Sequence, residues 1–180
     1  MNTKKLKAFI GEIIYRTIAI HLPLSAYPFN FGGKALRGWC AKLMLKKCGK
    51  NVNIEKGALF SKDISIGDNS GIGMNAWMLS PAITIGNDVM MGPYCIMLTT
   101  NHETSNTEIP MWHQGFTEPK PIVIEDDVWI GARVTIMGGV TIGHGSIIGA
   151  GSVVTKSCEP YSVIAGNPAK LIKKRKNDGQ

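Results

Sequence analysis

From Cys48 to Val154 an aliphatic residue returns every six positions, usually followed by glycine and, four places on, by a small or β-branched residue. The register reads Ile54-Glu-Lys-Gly-Ala58, Phe60-Ser-Lys-Asp-Ile64, Ile66-Gly-Asp-Asn-Ser70 and Ile72-Gly-Met-Asn-Ala76, with Met78 next. One extra residue enters near Ala82, after which Ile85-Gly-Asn-Asp-Val89, Met91-Gly-Pro-Tyr-Cys95 and Met97 continue the count. It stops near Asn101 and resumes at Ile124-Glu-Asp-Asp-Val128. Ile130-Gly-Ala-Arg-Val134, Ile136-Met-Gly-Gly-Val140, Ile142-Gly-His-Gly-Ser146 and Ile148-Gly-Ala-Gly-Ser152 follow.

A period of six matches neither the 3.6-residue turn of a helix nor the two-residue alternation of a long strand. It fits a short strand and a tight turn, repeated, with the aliphatic and small residues inward and Gly or Asn taking the turn conformations. Three such units close a triangular coil, and coils stack at about 4.8 Å, the spacing of paired strands. Ile66, Ile85, Ile124 and Ile142 then begin successive coils at one corner. The expected fold is mainly β: a parallel β-helix of about five coils, about 24 Å tall. The chain divides into an N-terminal helical segment over 1–47, the repeat over 48–157 and a closing segment over 158–180. A glycine count of 21 agrees with many short strands and turns.

The interruption between Asn101 and Pro121 cannot fit inside a stacked coil, so it must leave the wall as a loop. Such long loops are usually functional or disordered. His102 stands where this one departs. Pro110, Pro119 and Pro121 with Trp112 and Phe116 imply a loop packed against something. His144 sits in a Gly-His-Gly turn and His21 lies in the N-terminal segment, so His102 and its one rival in the same loop, His113, are the candidates for acid–base chemistry. Cys95, seven residues earlier, holds an inward repeat position, which argues against a Cys–His nucleophile. With no CxxC pairing, the four cysteines read as reduced residues of a cytoplasmic protein.

The formal charge of +7 is concentrated at the ends, in Lys4, Lys5 and Lys7 and in Lys170, Lys173, Lys174, Arg175 and Lys176. Glu12, Arg16 and His21 interrupt the apolar stretch from Phe9 to Leu24, which therefore does not read as a membrane span or a signal peptide. Ile10, Ile13, Ile14, Thr17, Ile18 and Ile20 fit one helical face. A helix of this kind docks on its own domain or a neighbouring subunit, or lies on the inner face of a membrane.

Ile66-Gly-Asp-Asn-Ser70, Ile130-Gly-Ala-Arg-Val134 and Ile148-Gly-Ala-Gly-Ser-Val-Val-Thr-Lys156 resemble the hexapeptide-repeat acyltransferases over roughly residues 48 to 172. That resemblance alone implies a left-handed coil, against the usual right-handed preference of parallel crossovers. It further implies that His102 is the general base of an O-acetyltransferase, with the Gly131-Ala132 corner facing the developing oxyanion. Acetyl-CoA would be held by Trp129, Gly131, Ala132, Gly149, Ala150, Thr155, Lys156, Lys170 and Lys173, and no metal is expected. Trp129 lies outside the inward positions, so it either packs under the His102 loop or meets the pantetheine arm. Asn101-His102 with Ile109-Pro-Met111 and Gln114-Gly-Phe-Thr-Glu-Pro-Lys-Pro121 resembles the capsular and exopolysaccharide O-acetyltransferases, and less closely the maltose and galactoside ones.

Asn75, Asn101, Met111 and Trp112 are the candidates for the acceptor pocket, and whether Glu103, Glu108 or Glu118 orients His102 stays open. Outward apolar residues such as Met90, Tyr94 and Trp129 point to the family's homotrimer, with sites between subunits and no nucleic-acid partner. A serine or xenobiotic acetyltransferase, a zinc carbonic anhydrase and a non-catalytic scaffold are the competing readings; zinc needs three converging histidines.

Overall fold

The computed structural model describes residues 3–175. After two helices the chain winds into five complete coils, each of three short strands. The first coil is β1 (Lys47–Cys48), β2 (Asn53–Ile54) and β3 (Leu59–Phe60); the second is β4 (Ile64–Ile66), β5 (Gly71–Ile72) and β6 (Trp77–Met78). The third is β7 (Ile83–Ile85), β8 (Met90–Met91) and β9 (Ile96–Leu98); the fourth is β10 (Ile122–Ile124), β11 (Trp129–Ile130) and β12 (Thr135–Met137). The fifth is β13 (Thr141–Ile142), β14 (Ile147–Ile148) and β15 (Val153–Val154).

First strands stack as wall A, second strands as wall B and third strands as wall C, all parallel. Cys48, Ile66, Ile85, Ile124 and Ile142 form one continuous column of partners on wall A, the corner read from the repeat. Wall B is in two pieces, joined where the Gly71 N–H donates to the Val89 carbonyl at 3.0 Å.

Inward positions from Ile54 to Val154 are buried, apart from the partly buried Met91. The inward serines are the informative exceptions to an apolar core. Ser70 Oγ donates to the Gly86 carbonyl at 2.7 Å and Ser152 Oγ to the Gly149 carbonyl at 2.6 Å, so each buried hydroxyl is satisfied.

The N-terminal segment closes the lower end of the prism with α1 (Thr3–Thr17), a 3₁₀ turn (Ala19–His21) and α2 (Gly33–Met44). The two helices cross closely at Gly11, where a Cβ would lie 2.9 Å from Leu43 Cβ. Tyr15 reaches the first coil, donating to the Ala58 carbonyl at 2.7 Å. Arg37 of α2 is fully buried and donates to the Ile54 carbonyl at 2.5 Å and the Leu22 and Pro23 carbonyls at 3.1 Å. Its guanidinium also faces Glu55 at 3.8 Å. The apolar face read for this segment is divided: Ile14 and Ile20 pack partly against the core beside the buried Gly11 and Tyr15, while Ile10, Ile13 and Ile18 are exposed. Close approach at a glycine and one anchored tyrosine decide the orientation, rather than the widest apolar arc.

At the upper end β16 (Ser162–Gly166) adds a sixth strand to wall B, and β17 (Ala169–Lys174) folds back antiparallel onto it. Lys174 and Arg175 are not a solvated tail. Lys174 Nζ donates to the Pro160 carbonyl at 2.9 Å, and Arg175 Nη1 meets Asp127 Oδ2 at 3.2 Å. Lys176 and the rest of the terminal tail lie outside the described residues.

Candidate functional site

Ile83 pairs with Ile122, 39 positions later, although neighbouring coils repeat every 18, as Thr141 does after Val123. The excess leaves the prism at the edge between walls C and A. Its neck is an antiparallel clasp: the Thr117 N–H donates to the Asn101 carbonyl at 2.8 Å and the Glu103 N–H to the Gly115 carbonyl at 3.1 Å. His102 and Phe116 face each other across this clasp, ring centroids 4.4 Å apart. The imidazole is thus laid on an aromatic ring at the mouth of the loop and is exposed to solvent. Among the described residues no side chain of Glu103, Glu108 or Glu118 bonds to it, and its ring contact is with Phe116. Beside it lies a cleft of about 320 Å³ lined by Leu98, Thr100, His102, Thr117, Met137 and Gly138.

The loop does not pack down on its own prism. Gln114 Nε2 ties it internally, donating to the Asn106 and Ile109 carbonyls at 2.7 and 3.0 Å. Trp112 rests edge-on against His113 with centroids 3.7 Å apart and remains 76% exposed. Both loop aromatics meet loop histidines instead of a wall, which leaves Met111 and Trp112 outward.

A second set of predicted residues forms the opposite edge of wall C, where it meets wall B. Backbone bonds stack its corners: the Tyr94 N–H donates to the Met74 carbonyl, the Arg133 N–H to the Pro93 carbonyl and the Gly151 N–H to the Ala132 carbonyl, all within 2.8 Å. Asn75, Gly131-Ala132 and Gly149-Ala150 therefore share one line along the prism. Glycine at 131 is required by the stacking, since a Cβ there would lie 2.6 Å from the Ala150 nitrogen. Lys170 continues this line, pairing with Ala165 above Gly149.

The remaining cofactor candidates fall elsewhere. Trp129 projects from wall B in register with Met90 and Ile147, and Lys173 pairs with Val163 farther up the same wall. Trp129 is half exposed, and the His102 loop leaves from the edge opposite wall B, so it does not cover this indole. Thr155 and Lys156 follow β15 at the edge between walls C and A. Lys156 joins Lys170 and Lys174 around a cavity of about 390 Å³ at the upper end of the prism. Within one chain, then, His102, Asn101, Met111 and Trp112 occupy one edge of wall C, and Asn75 with the Gly-Ala corners occupies the other.

Two residues at these edges escaped the sequence reading. Phe116 was seen as a loop aromatic but not as the partner of His102. Arg133 stands with φ +56° and its guanidinium 5.9 Å from the ring centre of Tyr94, itself at φ +61°. Left-handed backbone is uncommon for such bulky residues; the signal was a bulky side chain at the turn position where most other repeats carry Asn, Asp or Gly. Cys95 is buried, and burial pushes its thiol pKa up, which fits the inward position read from the repeat. Among the described residues no three His, Cys, Asp or Glu side chains come together as metal ligands.

Residues 121–156 match the protein family described as Bacterial transferase hexapeptide (six repeats), and residues 63–92 match the one described as Hexapeptide repeat of succinyl-transferase. A hexapeptide-repeat acetyltransferase of Vibrio cholerae, solved in complex with acetyl coenzyme A, superposes with a TM-score of 0.72 at 31% identity, covering 97% of this chain and 88% of that one. A maltose O-acetyltransferase of Clostridium difficile gives a TM-score of 0.76 at 27% identity over 98% and 90% of the two chains. The galactoside O-acetyltransferase of Escherichia coli is 36% identical over 139 residues, 73% of this chain and 65% of that protein. The chain spans about a third to two thirds of the length of the curated relatives it matches. The shared fold is a left-handed parallel β-helix.

Proposed function

This chain belongs to the hexapeptide-repeat acetyltransferases, and on that footing we propose that it is an acetyl-CoA-dependent O-acetyltransferase acting on a sugar hydroxyl, in capsular or exopolysaccharide biosynthesis. The observation that carries the reading is the placement of His102: an exposed imidazole, seated on Phe116, where the repeat opens into a loop. The Vibrio cholerae and galactoside enzymes support an acetyl donor and a sugar-type acceptor. The loop motif Asn101-His102 with Gln114-Gly-Phe116 supports the polysaccharide branch.

Acetyl-CoA supplies an activated thioester. The exposed edge of Ala150 and Gly151 offers bare backbone, with nothing within 4 Å of a Cβ built at Gly151, and Lys170 and Lys173 offer cations suited to phosphates. His102 accepts the acceptor hydroxyl proton as the oxygen attacks the acyl carbon; the C–O bond forms, the C–S bond breaks, and His102 returns the proton to the leaving sulfur. The backbone N–H of Ala132, next to a Gly131 N–H that donates to the Ile148 carbonyl at 2.8 Å, faces the developing oxyanion. Asn75, Met111 and Trp112 contribute to the acceptor pocket.

Because His102 and the Gly-Ala corners lie on opposite edges of wall C, the complete site lies between copies in a homotrimer. Exposed Met90 and Trp129 on wall B, and Trp77 and Ile96 on wall C, supply apolar surface for that contact, whereas wall A turns Ser65, Thr84 and Thr141 outward. Activity at the cytoplasmic face of the membrane belongs to the same proposal.

The test is release of free thiol from acetyl-CoA with a panel of sugars, in wild type and His102→Ala. The variant should lose turnover by about a hundred- to ten-thousandfold with unchanged melting. Undiminished turnover would remove His102 from the mechanism. Preference for chloramphenicol or a macrolide over every sugar would move the chain to the xenobiotic branch.

A further inference from the structure

The N-terminal helix presents its apolar stripe away from the molecule. Leu6, Phe9, Ile10 and Ile13 recur at three- and four-residue spacing and are each more than 40% exposed, while Gly11 and Tyr15 on the other side are buried. An amphipathic helix normally turns the apolar side inward. Here the inward side is used up by the close crossing with α2 at Gly11 and by the Tyr15 contact with Phe60, centroids 5.0 Å apart. Among the described residues the outer stripe therefore has no packing partner.

Charge around the stripe has one sign. Lys5 and Lys7 are exposed, and helical geometry sets them on its two flanks. The helix carries a single acid, Glu12, and this is already taken: Lys62 Nζ lies 2.5 Å from Oε2 and Arg16 Nε 3.1 Å from Oε1. The loop before α2 adds Tyr27, Phe29 and Phe31, the last two 79% exposed. Exposed apolar residues flanked by lysines are what an interfacial helix carries, its lysine stems lying along the apolar zone and its ammonium groups at the phosphates.

We propose that the outward face of α1 seats the enzyme peripherally on an anionic phospholipid bilayer. A second copy of the chain fits this face less well, since stripe against stripe would bring lysine flanks together with no unpaired acid on α1 to compensate them. Among the described residues no helix is long and apolar enough to cross a membrane, so the contact is one of lying on the surface. An enzyme held there would meet acceptors carried on lipid.

The full-length protein should co-sediment with vesicles of equal parts phosphatidylcholine and phosphatidylglycerol, about tenfold more weakly with phosphatidylcholine alone, and more weakly as salt rises. The double variant Phe9→Glu, Ile13→Glu should fall to background while keeping the wild-type melting temperature, because both side chains are outside the packed face. Failure of wild type to sediment with the anionic vesicles overturns the proposal, as does binding by the double variant within twofold of wild type. If light scattering shows that the double variant splits the assembly, the stripe is an interface between copies and the proposal is also lost. None of these readings depends on acyl transfer, so the membrane contact and the proposed reaction fail separately.

Discussion

Asn69 and Asn75 are six residues apart, share a left-handed backbone, with φ +57° and +52°, and are both exposed. Asn69 stands on the edge between walls A and B, Asn75 on the edge between walls B and C. The first edge is a ladder of side chains: Asn51 Nδ2 donates to Asn69 Oδ1 at 3.2 Å, and Asn69 Nδ2 to Asp88 Oδ1 at 3.0 Å. Beside it the Lys50, Asp68 and Asn87 N–H groups donate to Asp68, Asn87 and Asp126 one coil up, at 2.7 to 2.8 Å. On the second edge, among the described residues, the Asn75 amide bonds to nothing, and above it come Tyr94, Arg133 and Gly151. The repeat produces both corners by one rule. One has its polar groups committed to the fold and the other leaves them available to a ligand.

The sharpest way to break that contrast is to replace each asparagine with glycine, which keeps the left-handed backbone comfortable and removes the side chain alone. Asn75→Gly should lower kcat/KM for acetyl transfer by about two- to tenfold, the worth of one hydrogen bond to a neutral sugar hydroxyl, with no loss of melting temperature. Asn69→Gly should do the reverse, costing about 1 kcal/mol of stability in a denaturant titration and leaving kcat/KM alone. Equal effects of the two on activity would dissolve the distinction.

A smaller effect concerns strain. Arg133 sits in left-handed backbone that costs a bulky residue about 1 kcal/mol relative to glycine. Arg133→Gly should therefore raise stability by up to about 1 kcal/mol while raising KM for acetyl-CoA, because the guanidinium beside Tyr94 is lost from the edge on which Ala132 and Ala150 lie. A stabilised variant with unaltered KM would assign Arg133 to the surface.

The sequence made the coils legible because every inward position obeys one local rule, and Ile66, Ile85, Ile124 and Ile142 do fall in one column. The exit of the loop was legible for the same reason, since a break in register marks it. What stayed hidden depended on contacts that the period does not encode. The seating of His102 on Phe116 joins residues 14 positions apart across a clasp with no repeat. The second helix, α2, was not separated from α1, because its key side chain is Arg37, a cation buried against carbonyls of the turn and the first coil. The sequence left open what the apolar face of α1 meets, because the close approach at Gly11 that fixes its docking carries no periodic signal. Opposite edges of wall C likewise cannot be joined by counting along one chain.

The smallest effect expected separates the two edges by pH. The backbone N–H of Asn87, and then its side-chain amide, hold the Asp126 carboxyl below the usual carboxylate range. A carboxylate depressed in the folded state adds stability above its unfolded pKa of about 3.9, and that stability disappears as the pH falls through the lower folded value. Melting temperature should therefore drop as the pH falls from about 5 to 3, and Asp126 should account for less than about 1 kcal/mol of the loss, because water screens so exposed a group. Asp126→Asn keeps an oxygen to accept the Asn87 N–H but cannot titrate, so its acid profile should be flatter than that of wild type. Asn75→Gly should melt with the wild-type acid profile, since among the described residues the lowered carboxyl on its edge, that of Glu55, is bonded by Ser25 and Asn53 and not by Asn75. A flattened profile for Asn75→Gly would show that the two edges are coupled through the fold, and their division into a structural and a functional side would fail.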